Sequence, residues 1–229
     1  TWSWDSPILG VIGGDFVSDA ACINPLTPLY SEDFQSFTGA GFAPTPAAGQ
    51  LDSDIVIANG FSSGSLDHGS AQTTDDYARG LDVGGEVGTG GIYAFDVDGA
   101  GNIALGVQPT ASDFTPGEFD FKIENTTGAS LNDFMISYDI YVNNNENRAG
   151  SLNFSYSTDN ITYTPVNSLD YTSIAASDAL GFINVNRSES FSATIASGAF
   201  IYIRFEGNDV SGSNSRDEFA IDNILLEGM

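Results

Sequence analysis

The chain has 229 residues, 41% of them hydrophobic and 12% aromatic, with 31 acidic against 6 basic residues and a formal net charge of −25. That length and composition describe a folded globular chain with room for a substantial core, and the single cysteine, Cys22, excludes an internal disulfide. So negative a surface repels phosphate backbones and anionic headgroups, which argues against nucleic acid and membranes as partners, and no apolar run is long enough to cross a bilayer.

Residues 1–28 differ in kind from the rest. They hold both tryptophans, Trp2 and Trp4, and an apolar run "PILGVIGG", and lead out through the proline-rich "CINPLTPLY" (22–30). This segment is expected to be a tether or an extra strand preceding a domain over residues 29–229. Cys22 within it reads as a small buried hydrophobe, since a catalytic thiol would want a cationic partner and the only histidine, His68, is distant in sequence. The chain begins with Thr1 and shows no basic leader, which reads as a processed chain or an excerpt.

From there on, period-two alternation dominates. Strands are expected over 54–60, 91–97 and 102–108. In "EFDFKIEN" (118–125), Phe119, Phe121 and Ile123 face one way and Asp120, Lys122 and Glu124 the other; Phe134, Ile136, Tyr138, Ile140 and Val142 share a face in the next strand, 133–142. Such half-wet alternation belongs to antiparallel sheets. The stretch 151–166 reads as a hairpin closed at "TDN", 172–180 as one or two helical turns, and 200–207 and 219–227 as the closing strands. Short strands, frequent turn signals and scarce helix point to an all-β chain, an antiparallel β-sandwich that is jelly-roll-like.

Five blocks carry a resemblance: "LYSEDFQSFTGAGF", "GQLDSDIVIANGFSSG", "DDYARGLDVGGEVGTGGIYAFDV", "ALGVQPTASDFTPGEFDFKIENTTG" and "YIRFEGNDVSGSNSRDEFAIDNILLEG". Together they resemble a module of secreted bacterial proteins, found on cell-surface proteins and beside extracellular nuclease domains, including cargo of the type IX secretion pathway. The two ends also look like those of MAM, laminin-G-like and carbohydrate-binding jelly rolls, which open on an acidic-aromatic strand and close on an "IDN"-type strand. The resemblance implies a secreted or cell-surface β-sandwich that accompanies other activities, and no catalysis. It also implies a calcium ion joining the first strand to the last, with Asp222 and either Asp33 or Glu32 as ligands.

The residues themselves frame that site. Strict alternation along 219–227 puts Ala220, Asp222, Ile224 and Leu226 on one face, so Asp222 needs a cation, an arginine such as Arg216 or Arg204, or several backbone N–H groups. Hard oxygen ligands suit calcium and not zinc. The loop "GNDVSGSNSRDEF" (207–219) reads first as solvated charges tied down by Arg216, with an ion or polar ligand at Asp209, Asp217 and Glu218 as the alternative. His68, in "SLDHGS", reads as a polar loop residue, since no GxSxG accompanies it. For a sugar ligand, rings on a wet face are required, and Tyr141, Tyr202 and Arg204 are the candidates. The expected function is a non-catalytic extracellular module binding a glycan or another surface partner. The alternative is an adhesive subunit that self-associates through residues 1–28; a hydrolase ranks last.

Overall fold

Side chains that alternate between a dry and a wet face build two sheets that close on one core. A computed structural model describes residues 25–84 and 87–229. Trp2, Trp4 and Cys22 lie outside the described residues, as does nearly all of the segment expected to act as a tether or self-association element.

The strands of four or more residues, in chain order, are β1 (Thr27–Glu32), β2 (Val56–Asn59), β3 (Gly91–Asp96), β4 (Ile103–Gln108), β5 (Gly117–Glu124), β6 (Leu131–Asn143), β7 (Arg148–Ser157), β8 (Phe182–Ile195), β9 (Phe200–Gly212) and β10 (Glu218–Gly228). The first sheet runs β8–β6–β10–β4–β3, with the short strand Leu81–Asp82 at its far edge and β1 also paired to β10. The second runs β7–β9–β5–β2, with Thr164–Pro165 and Tyr171–Thr172 on the outer edge of β7. Every pairing among the ten longer strands is antiparallel. The protein is therefore an antiparallel β-sandwich, jelly-roll-like, as its alternation requires.

The inward faces meet in a single large core. Tyr138 of the first sheet packs edge-on against Phe205 of the second at 4.8 Å between ring centroids, and Phe205 also contacts Phe154 and Phe121. A ring can also press on a bare backbone: a Cβ built on Gly207 would fall 2.4 Å from the Phe114 ring, so only glycine fits under it.

Three local expectations need correction. The stretch 172–180 forms no helix; the helical elements among the described residues are two 3₁₀ turns, Asp75–Tyr77 and Asn167–Leu169. The hairpin after β7 is reduced to Thr164–Pro165, because Asp159 caps the preceding loop by accepting the N–H groups of Ile161 and Thr162. Finally, β8, fourteen residues long, was not expected at all. Its partly buried side includes Arg187 and Glu189, which break the apolar alternation. Arg187 is accommodated there by donating to the carbonyls of Leu169 and Asp170.

One irregularity positions the site expected at Asp222. Along β10, Phe219 and Ile221 point into the core, and so do Ile224 and Leu226. Strict alternation forbids that combination. A bulge supplies the extra residue, with Asn223 in the left-handed region at φ 51° and the register shifting between Asp222 and Leu225. Asp222 therefore does not share a face with Ile224 and Leu226. It lies on the outer side of the sheet with Ala220, which belongs to a small outer cluster around Tyr93 and Phe95.

Candidate functional site

The bulge falls where the neighbour of β10 changes. Residues Phe219–Ile221 pair with β4 on one side, whereas Ile224 to Gly228 pair with β1. Asp222 stands at this junction, fully buried, with Asp139 directly opposite it on β6. Asn223 serves both carboxylates: its backbone N–H donates to Asp222 Oδ1 at 2.7 Å and its side-chain amide to Asp139 Oδ2 at 2.9 Å. Asn186 donates to the other Asp139 oxygen. Burial pushes the Asp222 carboxyl up to about 6; hydrogen bonds from Asn223 and Asn102 oppose this, and the charges of Asp139 and Asp33 add to it.

Of the residues expected to share an ion with Asp222, Asp33 is close enough for its charge to be felt. Both it and Glu32 also turn toward their own backbone. Glu32 Oε1 accepts the Phe34 N–H at 2.8 Å and Asp33 Oδ1 the Gln35 N–H at 3.1 Å. Neither arginine considered as a partner reaches Asp222. Arg216 pairs with Asp209, and Arg204 with Asp120 and Glu118. Among the described residues no group of three or more His, Cys, Asp or Glu side chains is arranged to hold a metal. The candidate ligands at this junction are carboxylate oxygens, hard donors that suit calcium better than a soft metal, while Asn223 and Asn186 present N–H groups to them.

The three ring and guanidinium candidates are divided between the sheets. Tyr141 lies on the outer side of β6, its hydroxyl accepting a hydrogen bond from Asn102 at 3.1 Å, beside the Asp222 junction. Tyr202 and Arg204 lie on the outer face of the second sheet, on β9. There they belong to a larger band. Phe200 is 6.5 Å from Tyr202 between ring centroids, Lys122 Nζ sits 4.5 Å over Phe200, and the His68 imidazole is 6.3 Å from Tyr202. Arg204 lies 3.8 Å from the centroid of Tyr163, whose ring completes the band at the other end.

Arg204 is not free to donate to a ligand in the way its position on a wet face suggests. Its Nε and one terminal nitrogen donate to the two oxygens of Asp120 at 2.7 and 2.8 Å, and its other terminal nitrogen lies 3.1 Å from Glu118. Fork-to-fork pairing of this kind fixes a guanidinium plane, which here becomes the floor under Tyr163. Tyr163, Phe200 and Lys122 were not among the sequence candidates. Phe200 and Lys122 were legible as outward positions of their strands; Tyr163 was not, because its place depends on a loop.

His68 presents no nucleophile arrangement. Its Nδ1 lies 3.2 Å from the Ser53 carbonyl, and its neighbour Ser70 bonds to the backbone of Asp67. Burial holds the imidazole below its usual range, with the Ser53 carbonyl opposing. No helix among the described residues is long and apolar enough to cross a membrane.

No known family description matches the chain, and no curated protein matches it in sequence. Solved structures do. The xylan-binding domain CBM22-1 of Paenibacillus barcinonensis Xyn10C is 11% identical over 89% of this chain and 95% of that one, with a TM-score of 0.42. The K3 cleaved adhesin domain of Lys-gingipain from Porphyromonas gingivalis is 8% identical over 87% and 99%, also at 0.42. The CBM22-1–GH10 modules of Clostridium thermocellum xylanase 10B are 10% identical over 88% of this chain, with a TM-score of 0.40, and the chain spans 28% of their length.

Proposed function

We propose that this chain is a non-catalytic, extracellular glycan-binding module whose ligand lies along the outer face of the second sheet. The observation that carries the reading is the band of half-exposed rings, Phe200, Tyr202 and Tyr163, interleaved with Lys122 and His68 and floored under Tyr163 by the Arg204 guanidinium. The C–H faces of sugars stack on rings, and interspersed polar groups meet the hydroxyls. Phe200 and Tyr202 stand on a strand, which holds a platform more firmly than a loop. The face continues at one end into a groove of about 410 Å³ beside Tyr30, Lys122 and Phe200.

Tyr202→Ala is expected to abolish binding to whichever polysaccharide the parent retains on a glycan array, with its unfolding curve unchanged. Tyr141→Ala, on the opposite sheet, should bind as the parent does. Retained binding in Tyr202→Ala would show that the ligand lies elsewhere, and loss in Tyr141→Ala alone would move it to the first sheet.

Calcium at the β1–β10 junction belongs to the same reading, with Asp222 and Asp33 or Glu32 as its ligands. What supports it is the facing pair Asp222 and Asp139, like charges set opposite each other with amides alone bonding to them. Bound there, the ion would offset that repulsion and tie the ends of the domain together. A chelator is then expected to lower the melting temperature of the parent by more than that of Asp222→Asn; equal shifts in both proteins would remove the ion from this junction.

A further inference from the structure

Six buried side-chain nitrogen or oxygen atoms among the described residues lack a hydrogen-bond partner, and two of them, on Gln108 and Glu218, belong to residues that line one cavity, with those of Asn144 and Asn145 close by in the chain. These four are Gln108 Oε1, Asn144 Oδ1, Asn145 Oδ1 and Glu218 Oε2. Asn144 and Asn145 follow directly on Asn143, which pairs with Glu218 across the β6–β10 ladder. All four atoms are acceptors. Buried acceptors left without a donor are costly, and the two that share a cavity need a common explanation.

Among the described residues, no donor reaches these oxygens. Glu218 is 1% exposed; one of its oxygens accepts the Val87 N–H at 3.1 Å, and the other has nothing. Gln108, 4% exposed, uses its amide nitrogen on the carbonyls of Pro109 and Arg216, which leaves its oxygen facing away from both. Asn144 uses its amide nitrogen on Ala176 and Asp178. Arg216, the nearest cation in sequence, turns its guanidinium to Asp209, at 2.8 and 2.6 Å. Asp217 adds charge from behind, accepting the Glu146 N–H and the Ser173 hydroxyl. In front of Glu218, Gln108 and Glu146 lies a cavity of about 580 Å³, open to solvent and bounded in part by Val87 and Arg216.

We infer that this cavity is a divalent-cation site, of calcium type, with Glu218 Oε2 and Gln108 Oε1 as buried ligands and Glu146 at its mouth. The ligand set is hard oxygen, two carboxylates and neutral amides, with water from the cavity completing a coordination shell of six to eight. Few charged ligands imply weak affinity, of the order found in extracellular modules, ~10⁻⁴–10⁻³ M. The site is separate from the Asp222 junction and independent of the glycan reading. For "SRDE" at 215–218 it takes the alternative sequence reading, an ion at the acidic loop, over solvated charges: Arg216 does tie the loop down, but Asp217 and Glu218 are buried.

The test is isothermal titration of the whole chain with calcium chloride, with Asp222→Asn and Glu218→Gln alongside. Glu218→Gln keeps the size of the side chain and the acceptor for Val87. The expected result is binding that survives in Asp222→Asn and weakens at least ~10-fold in Glu218→Gln. Glu146→Gln, at the open mouth and so without effect on folding, should weaken binding in the same direction, which covers the case in which Glu218→Gln fails to fold. Absence of calcium heat in the parent, parent-like binding in both glutamate variants, or loss confined to Asp222→Asn would each overturn the inference.

Discussion

Arg204→Met is expected to destabilise the protein by ~3–5 kcal/mol, the cost of leaving a buried carboxylate without its partner. Asp120 is 3% exposed, and its bidentate partner is Arg204 alone. Glu118 stands two residues away on the same strand face, so removing the guanidinium leaves two like charges side by side. Burial already holds the Glu118 carboxyl above its usual range, with the charge of Asp120 adding to it and that of Arg204 opposing it. The stacking of Tyr163 on the guanidinium would be lost as well, a further ~0.5–1 kcal/mol. Urea unfolding at constant slope measures the change. Adding Asp120→Leu to Arg204→Met should recover most of it, because an apolar pair of similar volume often replaces a buried ion pair with little penalty. A loss below 1 kcal/mol in the single variant would return Arg204 to the class of free surface arginines, and with it the direct ligand role expected from sequence.

That arginine shows where a sequence ceases to be informative. Its strand was legible, and so was the face it lies on, because Ile201, Ile203 and Phe205 alternate with Tyr202 and Arg204. Its partner was not, since Asp120 lies 84 positions earlier and meets it only through the β5–β9 register. The same limit separates Tyr141 from Tyr202: each was correctly an outward ring, but strand order, a non-local property, puts them on different sheets. Period two is a local signal and survives wherever one face is apolar. It fails in β8, where Arg187 and Glu189 occupy partly buried positions, and in β10, where one bulge residue shifts every later side chain to the opposite face. Of the buried acceptors at Gln108, Asn144 and Glu218, only Glu218 had a sequence signal, as one member of the acidic loop 207–219. Gln108 and Glu218 meet at one cavity from two strand ends, and the lack of a donor to them among the described residues marks the place.

Phe205→Ala is the second large effect, an expected loss of ~3–5 kcal/mol and a fall in melting temperature on the order of 10 °C for a domain of this size. The ring is fully buried at the contact between the sheets, touching Tyr138 from one side and Phe154 and Phe121 from its own. Truncation leaves a cavity bounded by three other rings, each anchored on a strand. Tyr138 is further held by its hydroxyl, which donates to the Leu169 carbonyl at 3.0 Å. Walls fixed in this way cannot close over the gap, so the cavity cost adds to the lost transfer energy. Phe205→Leu, which fills most of the volume, should cost less than half as much. The contrast with the neighbouring residue is the useful control, because Arg204 and Phe205 are adjacent on one strand and point to opposite faces. If the platform outside and the core inside are separable, Phe205→Leu should weaken stability and leave glycan affinity unchanged at temperatures well below its melting point. Tyr202→Ala should do the reverse.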